Sequence, residues 1–455
     1  MPTTVDLTIT NGRIVTRNET FTGGIAINDG KIHAIRKDHQ LPKAIETLNA
    51  QGNLILPGLI DVHTHLRDFT LQQKEDFYTG TCAALNGGFT SVLDMPNTQP
   101  LTNSLSRIEE KIEIIQQKSV ANVGLYASLP DEDHEWSNLS GAGIFGIKMF
   151  LHRPLTSINI NDDDVLLDIF KRSVHHNILI ALHAEDKTII ETSEKQYQSR
   201  QKSIVKTHSL IHSYRAEVAA VKRVISLAKL NNPRLHFCHI STHQAVVLLQ
   251  KAKQSGLNIS CEVTPHHLTL SNQLFNTLGT LAQVEPPLRS DRTVKRLQRD
   301  LMTGLIDLIA RDHAPHTLKE KHTHDPWSVP SGFPGLETTL PVLLTLMNKG
   351  KLTLIQLVDL LAYQPAQRFQ LKRKGILFPG YDADITIVNP TIEHVIDPNR
   401  FYSKAQYSPF TGMKVIGKPT HVIIRGKTVM RDGVILAQPG SGSVLVASSS
   451  LGHKK

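Results

Sequence analysis

The segment Asp61-Val-His63-Thr-His65-Leu-Arg67-Asp68 sets two histidines two residues apart, directly after the apolar run Asn53-Leu-Ile-Leu-Pro-Gly-Leu-Ile60. In a strand, residues i and i+2 share a face, so His63 and His65 can aim two imidazoles at one point, as a metal ion requires. An H-x-H pair alone is a weak signal. Later apolar runs add candidates: Lys148 in Gly146-Ile-Lys-Met-Phe150, His183 in Leu182-His-Ala-Glu-Asp186, His239 in Cys238-His-Ile-Ser-Thr242 and Asp312 in Ala310-Arg-Asp-His-Ala-Pro-His316. A lone histidine at a strand end is usually a hydrogen-bonded structural residue. Four histidines and one aspartate at four strand ends form a coherent metal set. Lys148 needs a further step, because an ammonium beside two dications is strongly repelled. Condensation with CO₂ turns it into a carbamate whose two oxygens can bridge two metals. Two Zn²⁺, one carbamate, one aspartate and one hydroxide sum to about +1, a tolerable charge for a partly buried site.

These residues need a scaffold that brings distant strand ends together. Eight apolar runs read as strands: Leu59–His63, Thr90–Asp94, Asn122–Ala127, Phe145–Phe150, Ile178–His183, Leu235–His239, Leu257–Val263 and Asp307–Arg311. Helix-length patterns such as Thr102–Ser119 and Tyr214–Leu230 lie between most of them. Such alternation implies a parallel sheet, and eight units suit a (β/α)₈ TIM barrel, whose active site gathers at the C-terminal strand ends. The competing doubly wound sheet lacks its G-x-G-x-x-G after a first strand. Both chain ends are strand-rich, with Asn11-Gly12, Asp29-Gly30 and Asp432-Gly433 as hairpin signals. The expected fold class is therefore α/β, a TIM barrel with a small β-sandwich domain built from both chain ends. The expected boundaries are 1–56 and 371–440 for the small domain, 57–370 for the barrel, and 441–455 for a flexible tail.

Bulk properties narrow the function classes. The chain has 455 residues, 40% hydrophobic and 20% charged, which suits a soluble globular protein with a large core. No apolar run approaches the ~20 residues that span a bilayer, and the N-terminus lacks the features of a signal peptide. The net charge of +9 is dispersed rather than gathered into a stripe, which argues against a nucleic-acid partner. Three scattered cysteines, Cys82, Cys238 and Cys261, read as reduced thiols and a cytoplasmic location, with the latter two buried in strands.

The chain resembles the cyclic amidohydrolases of the amidohydrolase superfamily, and within them the class I dihydroorotases. The similarity spans nearly the whole chain. Its motifs are Pro57-Gly-Leu-Ile-Asp-Val-His-Thr-His-Leu-Arg67, Gly87-Gly-Phe-Thr-Ser-Val92 with Met95-Pro-Asn-Thr98, Glu262-Val-Thr-Pro-His-His-Leu268, Asp312-His-Ala-Pro-His-Thr317 with Lys321, Gly375-Ile-Leu-Phe-Pro-Gly-Tyr-Asp-Ala-Asp-Ile385 and Ser408-Pro-Phe-Thr-Gly412. The resemblance implies two divalent metal ions, zinc first among them. His63, His65 and Asp312 would hold one, His183 and His239 the other, and carbamylated Lys148 would bridge them. Asp312 would also be catalytic, passing a proton from the attacking water to the departing ring nitrogen. The implied reaction interconverts N-carbamoyl-L-aspartate and L-dihydroorotate in pyrimidine synthesis. Arg67, Asn97 and His316 would bind the carboxylated cyclic amide, since a guanidinium fork suits a carboxylate. A homodimer is implied, and aspartate transcarbamoylase is a candidate partner.

Two positions depart from the family pattern. Arg311 stands where relatives usually have Ser or Thr; alternation along a strand would point it away from the metals. Glu285, in Val284-Glu-Pro-Pro-Leu-Arg289, stands where relatives commonly place Asn or Arg, and a glutamate repels a substrate carboxylate. The alternatives are an allantoinase or dihydropyrimidinase/hydantoinase-type ring amidase, and a non-catalytic dihydroorotase-like partner of aspartate transcarbamoylase. The last is expected to lose ligands, and here all six are present. His313, His266 and His267 read as structural or supporting residues, and the Gly/Pro-containing loop 317–334 as a candidate lid.

Overall fold

Eight parallel strands from the middle of the chain form one sheet: β1 (Leu59–Thr64), β2 (Phe89–Asp94), β3 (Asn122–Ala127), β4 (Gly146–Phe150), β5 (Ile180–His183), β6 (Leu235–Phe237), β7 (Ile259–Val263) and β8 (Leu308–Ile309). The computed structural model describes residues 4–198, 204–323 and 328–447. Each strand pairs with the next in chain order. The last edge returns to the first through the bridge Thr64↔His313, where His65 N donates to His313 O at 2.8 Å. The sheet is thus a nearly closed (β/α)₈ barrel. All eight expected strands exist; several are shorter than expected, and β8 pairs over only two residues.

Strand alternation sorts the side chains into two layers. Val92, Leu125, Ile180, Leu182 and Phe237 join the helices' Ala220, Val224 and Leu343 in the outer core. Their neighbours Leu93, Tyr126, Ala181 and Cys238 pack with Ile60, Val62 and Phe145 in the interior. A fully buried Leu or Phe stabilises by roughly 1.5–3 kcal/mol, so a one-residue slip of any strand is strongly disfavoured. The same rule fixes the chemistry. Lys148 lies between outward Ile147 and Met149, and His183 follows outward Leu182, so both face in.

The second sheet is mixed and has nine strands from both chain ends. Leu54–Pro57 joins the halves, pairing parallel with Arg13–Ile14 and antiparallel with Ile385–Val388. Asp29-Gly30 and Asp432-Gly433 turn tight hairpins, with positive φ at both positions. Asn11-Gly12 does not. It is a bulge inside the strand Thr4–Val15, where Asn11 has φ 53° and its N–H donates to Asp38 Oδ2 at 2.8 Å. Gly12 is required there by closeness, since a Cβ would sit 2.2 Å from Ile55 Cδ1. The start of the expected flexible tail also differs. Leu445 N donates to Val123 O and Ala447 N to Gly143 O, so residues to 447 are docked on the barrel; residues 448–455 lie outside the described residues. All three cysteines are buried thiols. Among the described residues no helix is long and apolar enough to cross a membrane.

Candidate active site

The C-terminal strand ends open into one cavity of about 480 Å³, lined by His63, His65, His183, His239 and Asp312 among others. Distances within the set follow a common pattern. Asp312 Oδ1 lies 3.1 Å from His65 Nε2 and 3.5 Å from His63 Nε2, and His183 Nδ1 lies 3.1 Å from His239 Nε2. Ligand atoms about 2.0–2.1 Å from one tetrahedral ion would be spaced similarly. Ligand atoms of His63, His239 and Asp312 all fall within 4.8 Å of one another.

The opposite ring nitrogens are anchored elsewhere. His63 Nδ1 meets Glu262 Oε1 at 2.5 Å, His65 Nδ1 meets Asn97 Oδ1 at 2.6 Å, and His183 Nε2 meets Glu185 Oε2 at 2.7 Å. Each acceptor takes an N–H, which leaves the second nitrogen of His65 and of His183 bare toward the other metal candidates; on His63 burial and Lys148 oppose a second proton, but Glu262 and Asp312 outweigh them and raise the pKa to about 10, so a metal there would displace that proton. Glu262 on β7 is the hub, also accepting from His236 Nε2 at 2.9 Å and from the His239 N–H at 3.0 Å. The sequence reading missed Glu262 and Glu185. The signal was there: a carboxylate in an apolar strand must have donors, and Glu185 sits two residues after His183. Burial lowers the pKa of His183 to about 4 and of His65 to about 3, keeping both rings neutral and able to ligate. Burial opposes ionisation of Asp312, but His63 and His65 outweigh it and hold the carboxyl well below the usual carboxylate range.

Lys148 is 1% exposed, and its Nζ has no hydrogen-bond partner. Its charge works against protons on His63, His183 and His239, although Glu262 and Asp312 outweigh it at His63, and this places it amid the set. A buried, unpartnered ammonium among these imidazoles is a costly arrangement. The orphaned amine, the fixed tautomers and the mixed N/O donor set all fit divalent ions and a carbamate bridge.

His239 and Asp312 do not reach the site by alternation. β6 ends at Phe237, and His239 has φ 34°; Asp312 has φ 52°. Arg67 begins three consecutive residues of positive φ: Arg67 at 59°, Asp68 at 55° and Phe69 at 48°. Such backbone costs roughly 1–2 kcal/mol per residue. Asp68 holds it, accepting from Phe69 N and Phe77 N and pairing with Lys118 Nζ at 2.9 Å. The turn puts Arg67 in the cavity wall with a buried Nε that bonds to nothing. His316 stands beside it, 3.4 Å from Arg67 Nη2, with Nε2 also 3.1 Å from Ser331 O and Nδ1 3.3 Å from Lys74 Nζ. Burial, Arg67 and Lys74 keep His316 neutral.

Arg311 points away, as alternation requires. Its guanidinium lies against Phe333 and Phe410, contacts His266 Nδ1 and donates to Pro334 O at 3.2 Å. Gly335 makes room for it, since a Cβ there would sit 1.5 Å from Arg311 Nε. His313 accepts from Gly335 N at 3.0 Å, and His267 Nε2 donates to Pro286 O at 3.0 Å. Both hold backbone. In the loop 317–334, Lys321 Nζ donates to the carbonyls of Gln283, Pro330 and Gly332; residues 324–327 lie outside the described residues.

Glu285 does face the cavity. Its carboxylate accepts from Ser331 Oγ at 2.9 Å and lies 3.4 Å from His152 Nε2 and 3.7 Å from His212 Nε2. His152, His208 and His212 were not singled out from sequence. The i, i+4 spacing of His208 and His212, which puts both on one helix face, was the available signal.

The sequence pattern of the amidohydrolase family matches residues 54–429. A dihydroorotase of Methanothermobacter thermautotrophicus is 36% identical over 98% of this chain and 99% of its own length. An L-hydantoinase of Paenarthrobacter aurescens is 32% identical over 96% and 97%. The solved L-hydantoinase (dihydropyrimidinase) from Arthrobacter aurescens superposes with a TM-score of 0.93 at 31% identity, covering 97% of this chain and 100% of that one. Candidate ligands at the strand ends of a nearly closed barrel and a match across both sheets have one reading: the chain belongs to the amidohydrolase family.

Proposed function

We propose that the protein is a dihydroorotase, a hydrolase of a cyclic amide C–N bond that interconverts N-carbamoyl-L-aspartate and L-dihydroorotate. The observation that carries this is Arg67: a buried guanidinium with an unpartnered Nε in the same cavity as the five ligand-bearing side chains. It is suited to a substrate carboxylate. Relatives that bear the name dihydroorotase over nearly the whole chain support it. A homodimer in the cytoplasm is part of the same reading.

His63, His65 and Asp312 would hold one divalent ion, His183 and His239 a second, and Lys148, as a carbamate, would join them; zinc suits this N/O donor set. Bound there, such ions polarise a carbonyl and lower the pKa of water. The rest falls to the chain's own residues. Arg67 grips the carboxylate and orients the ring. Asn97 lines the cavity while its amide oxygen fixes His65. His316, neutral beside Arg67, leaves the guanidinium as the local charge. Asp312, ionised at neutral pH, accepts the proton of the attacking water and delivers it to the departing ring nitrogen.

Glu285 favours a second reading, a hydantoinase-type ring amidase acting on a ring without a carboxylate, and a relative named L-hydantoinase supports it. Parallel assays with dihydroorotate, dihydrouracil and allantoin separate the readings. Turnover of dihydroorotate with little of the other two is expected, and preference for either neutral ring would overturn the dihydroorotase assignment.

A further inference from the structure

The far wall of the cavity holds a cluster that the reaction above does not use. His152 lies two residues beyond Phe150 at the end of β4, His208 and His212 lie four apart on and just after the helix Ile204–Ile211, and Glu285 lies on the loop after β7. Ligand atoms of His208, His212 and Glu285 fall within 4.8 Å of one another. His152 Nε2 lies 3.4 Å from Glu285 Oε2, and a ligand atom of His152 falls within the same range of His212 and Glu185. The two histidine–glutamate distances, 3.4 and 3.7 Å, are long for hydrogen bonds. They suit two ligands sharing one ion.

Two tautomers are consistent with this. His212 Nδ1 donates to Glu185 Oε2 at 3.1 Å, which leaves Nε2 bare toward Glu285. His208 Nε2 donates to Val284 O at 3.1 Å, which leaves Nδ1 its lone pair. His152 is 8% exposed, and neither of its ring nitrogens makes a hydrogen bond. A buried imidazole beside a carboxylate, with no hydrogen bond at either nitrogen, keeps an unused lone pair, and a cation can take it up.

We propose that His152, His208, His212 and Glu285 bind a third divalent cation, of the zinc type that three imidazoles and one carboxylate select. Burial disfavours a second proton on His212 while Glu185 and Glu285 favour it and prevail, so the ion takes that proton's place; three neutral rings, one carboxylate and a dication then sum to +1. That removes the obstacle Glu285 poses to a carboxylated substrate, and this consequence rests on the dihydroorotase reading; the ion itself does not. Glu185 joins the sites, accepting from both His183 and His212.

The test is a metal count on the whole protein, stripped with a chelator, dialysed against Zn²⁺ and measured by plasma mass spectrometry. Three ions per chain are expected, and two in both His208→Ala and Glu285→Gln, with circular dichroism and thermal melting confirming that each variant folds. If one variant fails to fold, the other decides, with His152→Ala as a third. Saturation of the wild type at two, or variants that keep the wild-type number, would overturn the proposal and leave the cluster as a proton-held ion network. The count is independent of substrate choice. Three ions in a protein that ignores dihydroorotate would sink the function but keep the site; two ions in an active dihydroorotase would do the reverse. KM for dihydroorotate, with dihydrouracil as control, should rise about tenfold in the folded variants, the scale of one charge-assisted contact.

Discussion

One cavity has two histidine-rich walls, and they are built differently. The first wall takes its candidate ligands from strand ends: His183 stands in β5 and Lys148 in β4, His63 stands where the register of β1 shifts, and His239 and Asp312 turn inward on left-handed residues. Its tautomers are set by two buried carboxylates and one amide, at 2.5–2.7 Å. The second wall draws on a post-strand residue, a short helix and a loop, and its contacts to Glu285 are 3.4 and 3.7 Å. A rigid barrel can hold several donors at one point against their mutual repulsion. Helix and loop donors tolerate a longer, looser arrangement, so the second wall should be the weaker site.

The contrast can be broken most severely at Lys148. Lys148→Ala should reduce activity to background and remove the strand-end ions while leaving the ion at Glu285; short carboxylic acids that replace the carbamate should restore part of the rate. Unaltered turnover in that variant would end the bridging role. Glu262→Gln comes next. It leaves His63, His236 and the His239 N–H with a poorer acceptor, and metal affinity of the first wall should fall about 10–100-fold, read by competition with a chromogenic chelator; an equal loss at both walls would erase the distinction. Arg67→Ala should raise KM for dihydroorotate about 10–100-fold, the scale of charge-assisted hydrogen bonds, with metal content unchanged; an unmoved KM would take Arg67 out of the binding wall. The smallest effect on either wall is expected from Gly335→Ala. The added Cβ collides with Arg311, and overpacking should cost about 1–3 kcal/mol, seen as a lower Tm with the ion count intact. A changed count would mean that Arg311 couples to the metals after all.

The strand-end set was legible because strand periodicity is a local property. Lys148 and His183 each follow from a two-residue alternation that the flanking apolar residues impose, and the outward course of Arg311 follows from the same rule; His63 and His65 were paired by their spacing, but Ile60 and Val62 take the interior positions of β1 and its register shifts between Asp61 and Thr64. Glu262 and Glu185 were visible as residues but not as partners, because a carboxylate in an apolar run announces a need for donors without saying which. Asn11-Gly12 misled for a related reason: the dipeptide permits a positive φ, and whether that φ makes a hairpin or a bulge depends on Gly23 and Ile55 across the sheet.

By itself, then, the chain determined the eight-fold strand–helix rhythm and the inward residues of the strands, since both are written in short-range hydrophobic spacing. Only the tertiary structure decided that Arg67 turns into the cavity, that residues to 447 dock on β3 and its neighbour loop, and that His152, His208, His212 and Glu285 meet. Those meetings join segments up to 133 positions apart, from His152 to Glu285, and they are fixed by where the closed barrel delivers its loops. No local pattern encodes that closure, because it is a property of the whole sheet.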